Sequence, residues 1–484
     1  MFRFTVGLKK RKKMETKKYT DALTNHPEFL VISLVATELK TRAFVIGGFV
    51  RDYFLGIPND DIDIVVEGSG IEFARKFAEY VRGELTVYEN FGTAMVHYGD
   101  QKVEFVGARK EHYERGSRKP YCENGTLEDD QRRRDFTINA MAFDLNKGHF
   151  GELIDPFGGI ADLELGVIRT PIDPVQTFLD DPLRMLRCIR FKCKLTRNGR
   201  KFFIAVPTFA AIQKCKDEIK TLSWERITEE LNKIMASEHP SQGIVLLEQA
   251  GLLPYILPEV AALRMPEDKG HKDIFDHTMK VLDNVAAQSD NLYLRWAALL
   301  HDIGKQASKA YVDGVGWTFY DHAGVGSRMV EGVFKRLKMP LDDRMDYVTK
   351  LVAMHMRPTT LAEEGVTDSA IRRLLFDAGD AIDDLLILAK CDVTTKYDSK
   401  RQKIYDNLVV IENHIKEVEE KDAIRNFKNP ITGNYIMETF GLKPGKTIAV
   451  LKDAVKEAIL DGVIGNNFEE AEAFVKEKAK ELGL

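Results

Sequence analysis

Residues 45–66, VIGGFVRDYFLGIPNDDIDIVV, constrain this chain more than any other stretch. An apolar strand runs into Gly47 and Gly48, a short helix follows, and a second strand carries Asp61 and Asp63. Strand side chains at i and i+2 share a face, so the two carboxylates converge. Paired oxygen donors of this kind suit Mg²⁺ that is also held by substrate phosphates. Gly47 and Gly48 let the backbone approach a phosphate where the free N–H groups at the helix start favour anions. Arg51, one turn in, is placed to reach the same triphosphate. A glycine turn followed by a solvated acidic strand accounts for either element alone. Their order and closeness point instead to nucleotidyl transfer.

A chain of 484 residues has room for roughly three or four domains. Hydrophobic content of 44% and charged content of 30% are those of a protein with ordinary apolar cores. The net charge of −5 gives no general attraction to nucleic acid, so such a site must be a local basic patch. The five cysteines, Cys122, Cys188, Cys193, Cys215 and Cys391, have no metal-type spacing and fit a reducing, cytoplasmic compartment. No apolar run approaches the roughly 18 residues of a membrane span. The N-terminal LKKRKKMETKK has no apolar segment after it and is no secretory signal. It reads either as a disordered arm touching phosphates or as a leader preceding a true start at Met14.

The spacing of apolar residues predicts a basic leader over 1–25 and an α/β head over 26–165. The head's expected elements are a helix at 27–40, one near 70–82, and strands at 62–66, 94–98 and 102–107. From about 175 the pattern turns helical with no strand signal. A helical neck and body is expected over 166–265, a second helical block over 266–400 and a helical tail over 401–484.

Within the head, Glu104 sits on an apolar strand. There a carboxylate is costly unless it meets a cation or donors. It is either a satisfied structural residue or a third acid beside Asp61 and Asp63, with Arg109 at the strand end. RRRDFTINAMAFD, 132–144, is dense in groups that fit a nucleotide. Arg133 and Arg134 neutralise phosphates, Asp135 accepts from a ribose hydroxyl, and Asn139 offers donor and acceptor. A basic surface turn is the plainer alternative, and the apolar residues that follow argue for a buried, positioned segment.

On the expected helix 181–193, Asp181, Arg184, Arg187 and Arg190 recur every three residues, while Leu183, Leu186, Ile189 and Cys193 can face a core. Such a face can simply be solvated. Yet Asp181 accepting from an exocyclic amino group while Arg184 donates to a ring nitrogen matches cytosine and adenine. Uracil and guanine reverse the pattern and leave buried groups unpaired, at about 1–3 kcal/mol each.

Taken in order, GGFVRD with DID, VEFVGAR, RRDFTINAMA, DPFGGIADL, DDPLRMLRCIRF and ERITEEL closely resemble the bacterial class II tRNA nucleotidyltransferases and their relatives the poly(A) polymerases. The resemblance runs from about 40 to 260, and ITGNYIMETFGLKPGKT is similar to the family's C-terminal region. It implies an α/β nucleotidyltransferase head followed by all-α neck, body, HD and tail domains. It further implies metals at Asp61 and Asp63, triphosphate at Gly48 and Arg51, and sugar and phosphates at Arg134 and Asp135. Base pairing falls to Asp181 and Arg184, supported by Arg187 and Arg190. The chain departs from the pattern at Asp180, where many members have Glu, and at Asp60, where Lys is frequent.

The second block carries His277, the His301–Asp302 pair, His322, His355 and Asp392. Imidazole and carboxylate together suit one or two transition-metal ions, which an adjacent His-Asp pair can bridge. Any one of these histidines alone is more simply a satisfied core residue. In this order they resemble the HD phosphohydrolase superfamily. A helical domain kept for packing and tRNA contact is the alternative.

The resemblance implies addition of CMP and AMP, as CCA, to the 3′ end of tRNA from CTP and ATP, without a membrane or an obligatory protein partner. A poly(A) polymerase, an A-adding or CC-adding relative, a metal-dependent phosphohydrolase and a non-catalytic RNA-binding module are the rival readings. The residues that separate A, CC and CCA output are expected in a loop within 108–125.

Overall fold

The computed structural model describes residues 18–89, 92–112, 121–264, 273–364, 366–395, 397–422 and 428–484. The chain divides into two compact units, Met1–Leu222 and Ser223–Leu484. The division falls inside the expected neck, so the arginine-rich helix belongs with the head.

The first unit opens with helices α1 (Asp21–Thr24) and α2 (Pro27–Leu39), strand β1 (Ala43–Ile46), α3 (Gly48–Leu55), β2 (Ile62–Val66) and α4 (Gly70–Val81). Strands β3 (Glu84–Tyr88), β4 (Thr93–Tyr98) and β5 (Gln101–Gly107) follow. β6 (Arg109–His112) and β7 (Tyr121–Asn124) then pair as an antiparallel ribbon. The tip of the expected specificity loop, 113–120, lies outside the described residues. After α5 (Leu127–Arg132) come β8 (Ala142–Asp144), β9 (Leu153–Ile154), α6 (Gly159–Leu165) and β10 (Val167–Ile168). The unit continues with α7 (Pro174–Asp180), α8 (Leu183–Leu195), β11 (Phe203–Ile204) and α9 (Val206–Cys215).

Seven strands form one mixed sheet in the order β3-β4-β5-β2-β1-β8-β9. β2 and β5 are parallel neighbours, and the other pairs are antiparallel. Strand β1 is buried throughout, as expected of a central strand with both faces covered. Helix α4 starts where the Ser69 hydroxyl accepts from Glu72 N, and buries Phe73, Ala74, Phe77 and Ala78. Phe73 and Phe77 both meet Phe105 of β5.

Three expectations are corrected. The leader does not extend to residue 25: Lys18 bridges to Glu152, and Ala22 and Leu23 are buried. Residues 1–17 lie outside the described residues. The region beyond 175 is not free of strands, because β11 pairs in parallel with β10 and a hairpin, β12 (Ala310–Val312) and β13 (Gly316–Thr318), interrupts the second block. Strands of two or three residues are too short to imprint a two-residue period. Finally, α8 starts at Leu183, leaving Asp181 extended between two helices. Proline disfavours helical backbone at the residue before it, and Pro182 follows Asp181.

The second unit is helical apart from that hairpin among the described residues. Its helices include Trp224–Met235, Ile274–Ala286, Leu292–Leu300, His322–Arg336, Asp343–Met354, Ile382–Asp392 and Asp398–Asp422. No helix of the described residues is long and apolar enough to cross a membrane.

Candidate active site and candidate metal centre

In the head, the turn from β1 into α3 depends on Gly47, whose φ of 83° lies where side chains rarely go. A Cβ there would stand 2.9 Å from Nη1 of Arg134. The turn opens onto a cavity of 460 Å³, a size that suits a small-molecule ligand. Its walls carry Gly47, Gly48, Asp61 and Asp63 from the first motif, and Arg134, Asp135 and Asn139 from the second. Arg51, Arg187, Arg190, Phe191, Lys194 and Arg197 also line it.

Asp63 lies opposite Glu104 in the parallel β2–β5 register. Asp61 precedes the strand, is exposed, and reaches the same cavity. Burial is the main force pushing the Asp63 carboxyl up to about 6, with Arg134 opposing and Glu104 and Asp61 adding to it. Glu104 is raised as well, by burial and by Asp61, and flanks the cavity without lining it. Crowded carboxylates held off their usual range fit a divalent cation, which would relieve both burial and mutual repulsion.

The remaining head residues form a hydrogen-bonded floor. Arg51 is buried and grips the Asp52 carboxylate through Nε and Nη2, at 2.8 Å each. Its Nη1 donates to Asn139 Oδ1 at 2.7 Å. The Asn139 amide donates to Asp135 Oδ1 at 3.0 Å, and Arg187 donates to Asp135 Oδ2 at 2.8 Å. Burial works to raise the Asp135 carboxyl, but Arg187 and Asn139 outweigh it and hold it low. Arg133 and Arg134 clasp the two oxygens of buried Asp130. Arg51 and Asp135, read from the sequence as direct phosphate and ribose ligands, are thus engaged with protein partners while still bordering the cavity.

Asp181 and Arg184 do not line it. Arg184 donates to the carbonyls of Thr177 and Arg133, at 3.3 and 2.6 Å, and Asp181 accepts from Leu183 N at 3.2 Å. The apolar side of α8 is as expected, with Leu183, Leu186, Ile189 and Cys193 buried. Sequence reasoning missed Asp52, Asn59, Lys194 and Arg197. Lys194 continues the helix face of Arg187 and Arg190 at the next spacing, a signal that extending the pattern would have caught, whereas Arg197 lies beyond the end of α8.

In the second unit, His277, His301, Asp302, His322, His355 and Asp392 come together, each from an end or the first turn of a helix. His277, His301 and Asp302 form one group able to hold an ion, and Asp302, His322 and His355 another. Asp302 belongs to both, so the pair bridging expected from sequence is geometrically available. His301, His322 and His355 each donate Nδ1–H to a carbonyl three residues earlier, Ala298, Phe319 and Val352, at 2.8–3.0 Å. His277 Nδ1 meets the Thr394 hydroxyl at 2.7 Å. These contacts fix the rings with Nε2 toward the centre. Nε2 of His277 is 2.8 Å from Asp392, and Nε2 of His322 and His355 are 3.3 Å apart. Among the described residues, the buried His301 Nε2 and Asp302 Oδ1 make no hydrogen bond of good geometry, although carboxylate and imidazole neighbours crowd them at 3.3–3.5 Å, which is what a metal centre leaves when its donors are counted without the ion. Thr394 and Lys305, which reaches Asp302 at 2.6 Å, were not foreseen.

Acidic groups converging beside a glycine turn at a helix start and a bank of cations make the head that of a nucleotidyltransferase. Known proteins agree. A family model described as "Poly A polymerase head domain" matches residues 43–169, one described as "Probable RNA and SrmB- binding site of polymerase A" matches 201–263, and an "HD domain" matches 274–395. The A-adding tRNA nucleotidyltransferase of Deinococcus radiodurans is 30% identical over 452 residues, covering 91% of this chain and 96% of that protein. The multifunctional CCA protein of Nitrosospira multiformis is 34% identical over 341 residues, covering 66% and 76%. Among solved structures, a CCA-adding enzyme in an apo form matches with a TM-score of 0.64 at 24% identity, covering 96% of this chain and 99% of that one. The Thermotoga maritima CCA-adding enzyme complexed with tRNA matches with a TM-score of 0.62 at 23% identity, covering 95% and 98%; both show the shared fold. This chain belongs to the tRNA nucleotidyltransferase and poly(A) polymerase family, with an HD domain in its second half.

Proposed function

We propose that this protein adds CMP and AMP to the 3′ end of tRNA, taking CTP and ATP as substrates at the head cavity. The observation that carries the reading is the meeting of Asp61 and Asp63 with the Gly47–Gly48 turn and the cationic wall in one cavity. In this reading Asp61 and Asp63 hold Mg²⁺, beside Glu104. Bound there, the ion supplies activation of the attacking 3′-hydroxyl and charge stabilisation of departing pyrophosphate. The N–H groups at the start of α3 and the guanidinium of Arg134 take the triphosphate. Arg187, Arg190, Lys194 and Arg197 neutralise the phosphates along the opposite wall. Asp135 and Asn139 act by holding Arg187 and Arg51 in place, since their own groups are engaged.

Asp181 and Arg184 read the base. For this Arg184 must release the carbonyls of Thr177 and Arg133 that it now holds, freeing its guanidinium to meet the ring nitrogen of cytosine or adenine.

Incubation of the protein with tRNA lacking its 3′ end, each nucleotide being supplied alone and in pairs, tests the proposal. CTP and ATP together should restore the complete end, with UTP and GTP excluded. A second reading, addition of A alone, is favoured by the long alignment with the A-adding Deinococcus protein. It predicts ATP incorporation only on tRNA already ending in CC.

The second unit is read as an HD-type phosphohydrolase centre that takes a transition metal at His277, His301, Asp302, His322, His355 and Asp392. The orphaned His301 Nε2 and Asp302 Oδ1 support it. Metal analysis after supplementation with transition metals, paired with phosphodiesterase and phosphatase assays, tests this half.

A further inference from the structure

Lys102 is a cation at the edge of the carboxylate cluster that the proposed reading does not use. Lys102 stands on β5 two residues before Glu104, so both side chains leave the same face of the strand. Strand β5 runs parallel to β2, with Val103 opposite Ile62 and Glu104 opposite Asp63. Extending the register by one step sets Lys102 beside Asp61. There its Nζ lies 3.1 Å from Asp61 Oδ1, with the side chains 55% and 69% exposed. The segment is acidic, because Asp60 adds a further carboxylate next to the pair. Lys102 also acts on Asp63 and Glu104, favouring the charged form of each. Arg134 acts more strongly on Asp63, and Arg109 also acts on Glu104, but the Lys102 ammonium is in direct contact with Asp61, the most exposed of the three carboxylates.

We propose that Lys102 is a resident counter-cation for Asp61 that an incoming divalent ion must displace, so that it sets the metal affinity of the head and takes no part in the chemistry. The inference rests on the reading of Asp61 and Asp63 as metal ligands. An ammonium on a four-carbon stem can withdraw into water at little cost, since an exposed ion pair contributes little net energy. While in place it occupies a carboxylate oxygen that the metal needs and weakens the local negative potential. Removing its charge leaves the metal an uncontested Asp61 and a more negative site.

The test is a titration of the full-length natural chain with Mn²⁺, free ion being followed by its paramagnetic resonance signal. Sites lost in Asp63→Asn are counted as those of the head. Lys102→Met and Lys102→Gln are expected to tighten Mn²⁺ binding there by about two- to fivefold at low salt, the range an exposed ion pair can supply. The gain should shrink as KCl rises, because salt screens the pair. Lys102→Arg, which keeps the charge, should bind within about twofold of the parent. Circular dichroism melts check that each variant is folded, and the exposed stem lets both neutral variants be compared. Unchanged or weaker binding in the two neutral variants overturns the proposal. If Asp63→Asn binds Mn²⁺ as the parent does, it is the ligand assignment that fails instead.

Discussion

Asp135 and Arg187 are joined side-on: Nε and Nη2 of the arginine both reach Oδ2 of the carboxylate, at 2.8 and 2.6 Å. The contact ties the buried turn after α5 to the middle of α8, and it begins a chain of contacts that runs through Asn139 to Arg51, Asp52 and Asn59. The cavity floor is thereby preorganised before any nucleotide arrives, which spares the reaction the cost of arranging it.

Breaking that contact should be felt as stability. Among the described residues, Arg187→Met leaves the Asp135 carboxylate with the Asn139 amide and the Phe136 N–H as hydrogen-bond donors, at a cost of about 1–3 kcal/mol. The lower part of that range is expected, because the Arg187 side chain is 34% exposed. Asp135 is held below the ordinary carboxylate range, so its contribution is complete above about pH 4 and is lost as pH falls through its folded-state value. Urea denaturation should therefore show a gap between parent and variant at pH 7 that closes in acid. A gap that widens in acid would contradict this account.

Gly47→Ala combines an unfavourable backbone with a collision, since φ is +83° and the new Cβ meets Arg134 Nη1 at 2.9 Å. A cost of about 1–3 kcal/mol follows from the backbone strain. Nucleotide affinity, measured by calorimetry, should fall along with stability. Unchanged affinity in a folded variant would remove the turn from the triphosphate site.

Arg184→Ala should lose discrimination as well as rate, by about 1–3 kcal/mol of selectivity for CTP and ATP over UTP and GTP. If the variant slows but still rejects UTP and GTP as strictly as its parent, the base is read elsewhere.

At the second site, Gly304→Ala should weaken metal binding without replacing any candidate ligand. A Cβ there would lie 2.1 Å from the carbonyl of His322 and 2.5 Å from Gly326 N, so the start of the His322 helix must move. The purified variant should carry markedly less transition metal than the parent while adding nucleotides within a few-fold of it. Full metal occupancy would show that His322 is not needed in its observed place.

The elements with strong periodicity were legible from sequence. The helix expected at 70–82 is Gly70–Val81, and the strand expected at 102–107 is Gln101–Gly107. The convergence of Asp61 and Asp63 followed from alternation along one chain, although Asp61 lies just outside the strand. Its pairing partner was less accessible, because the facing of Asp63 and Glu104 is a long-range register that alternation does not encode. Helical spacing found the arginines of α8 but placed Asp181 on the helix, where Pro182 excludes it. Spacing also could not show that Arg51 and Asp135 are turned toward protein partners, because hydrogen bonding between motifs 88 residues apart leaves no local trace. The six residues of the second cluster were all named from the sequence, and the structure brings them together. What the sequence does not carry is the set of carbonyls that orients their rings, because every helix offers carbonyls at that spacing.

The assignment of the head metal to Asp61 and Asp63 can be checked by single-turnover incorporation of labelled CMP and AMP into tRNA lacking its 3′ end, comparing the parent chain with Asp63→Asn. The substitution keeps the shape of the side chain and removes its charge. Incorporation should fall by at least about a hundredfold, while tRNA binding, which rests on phosphate contacts elsewhere, stays near that of the parent. Incorporation near the parent's rate in a folded Asp63→Asn protein would contradict the account.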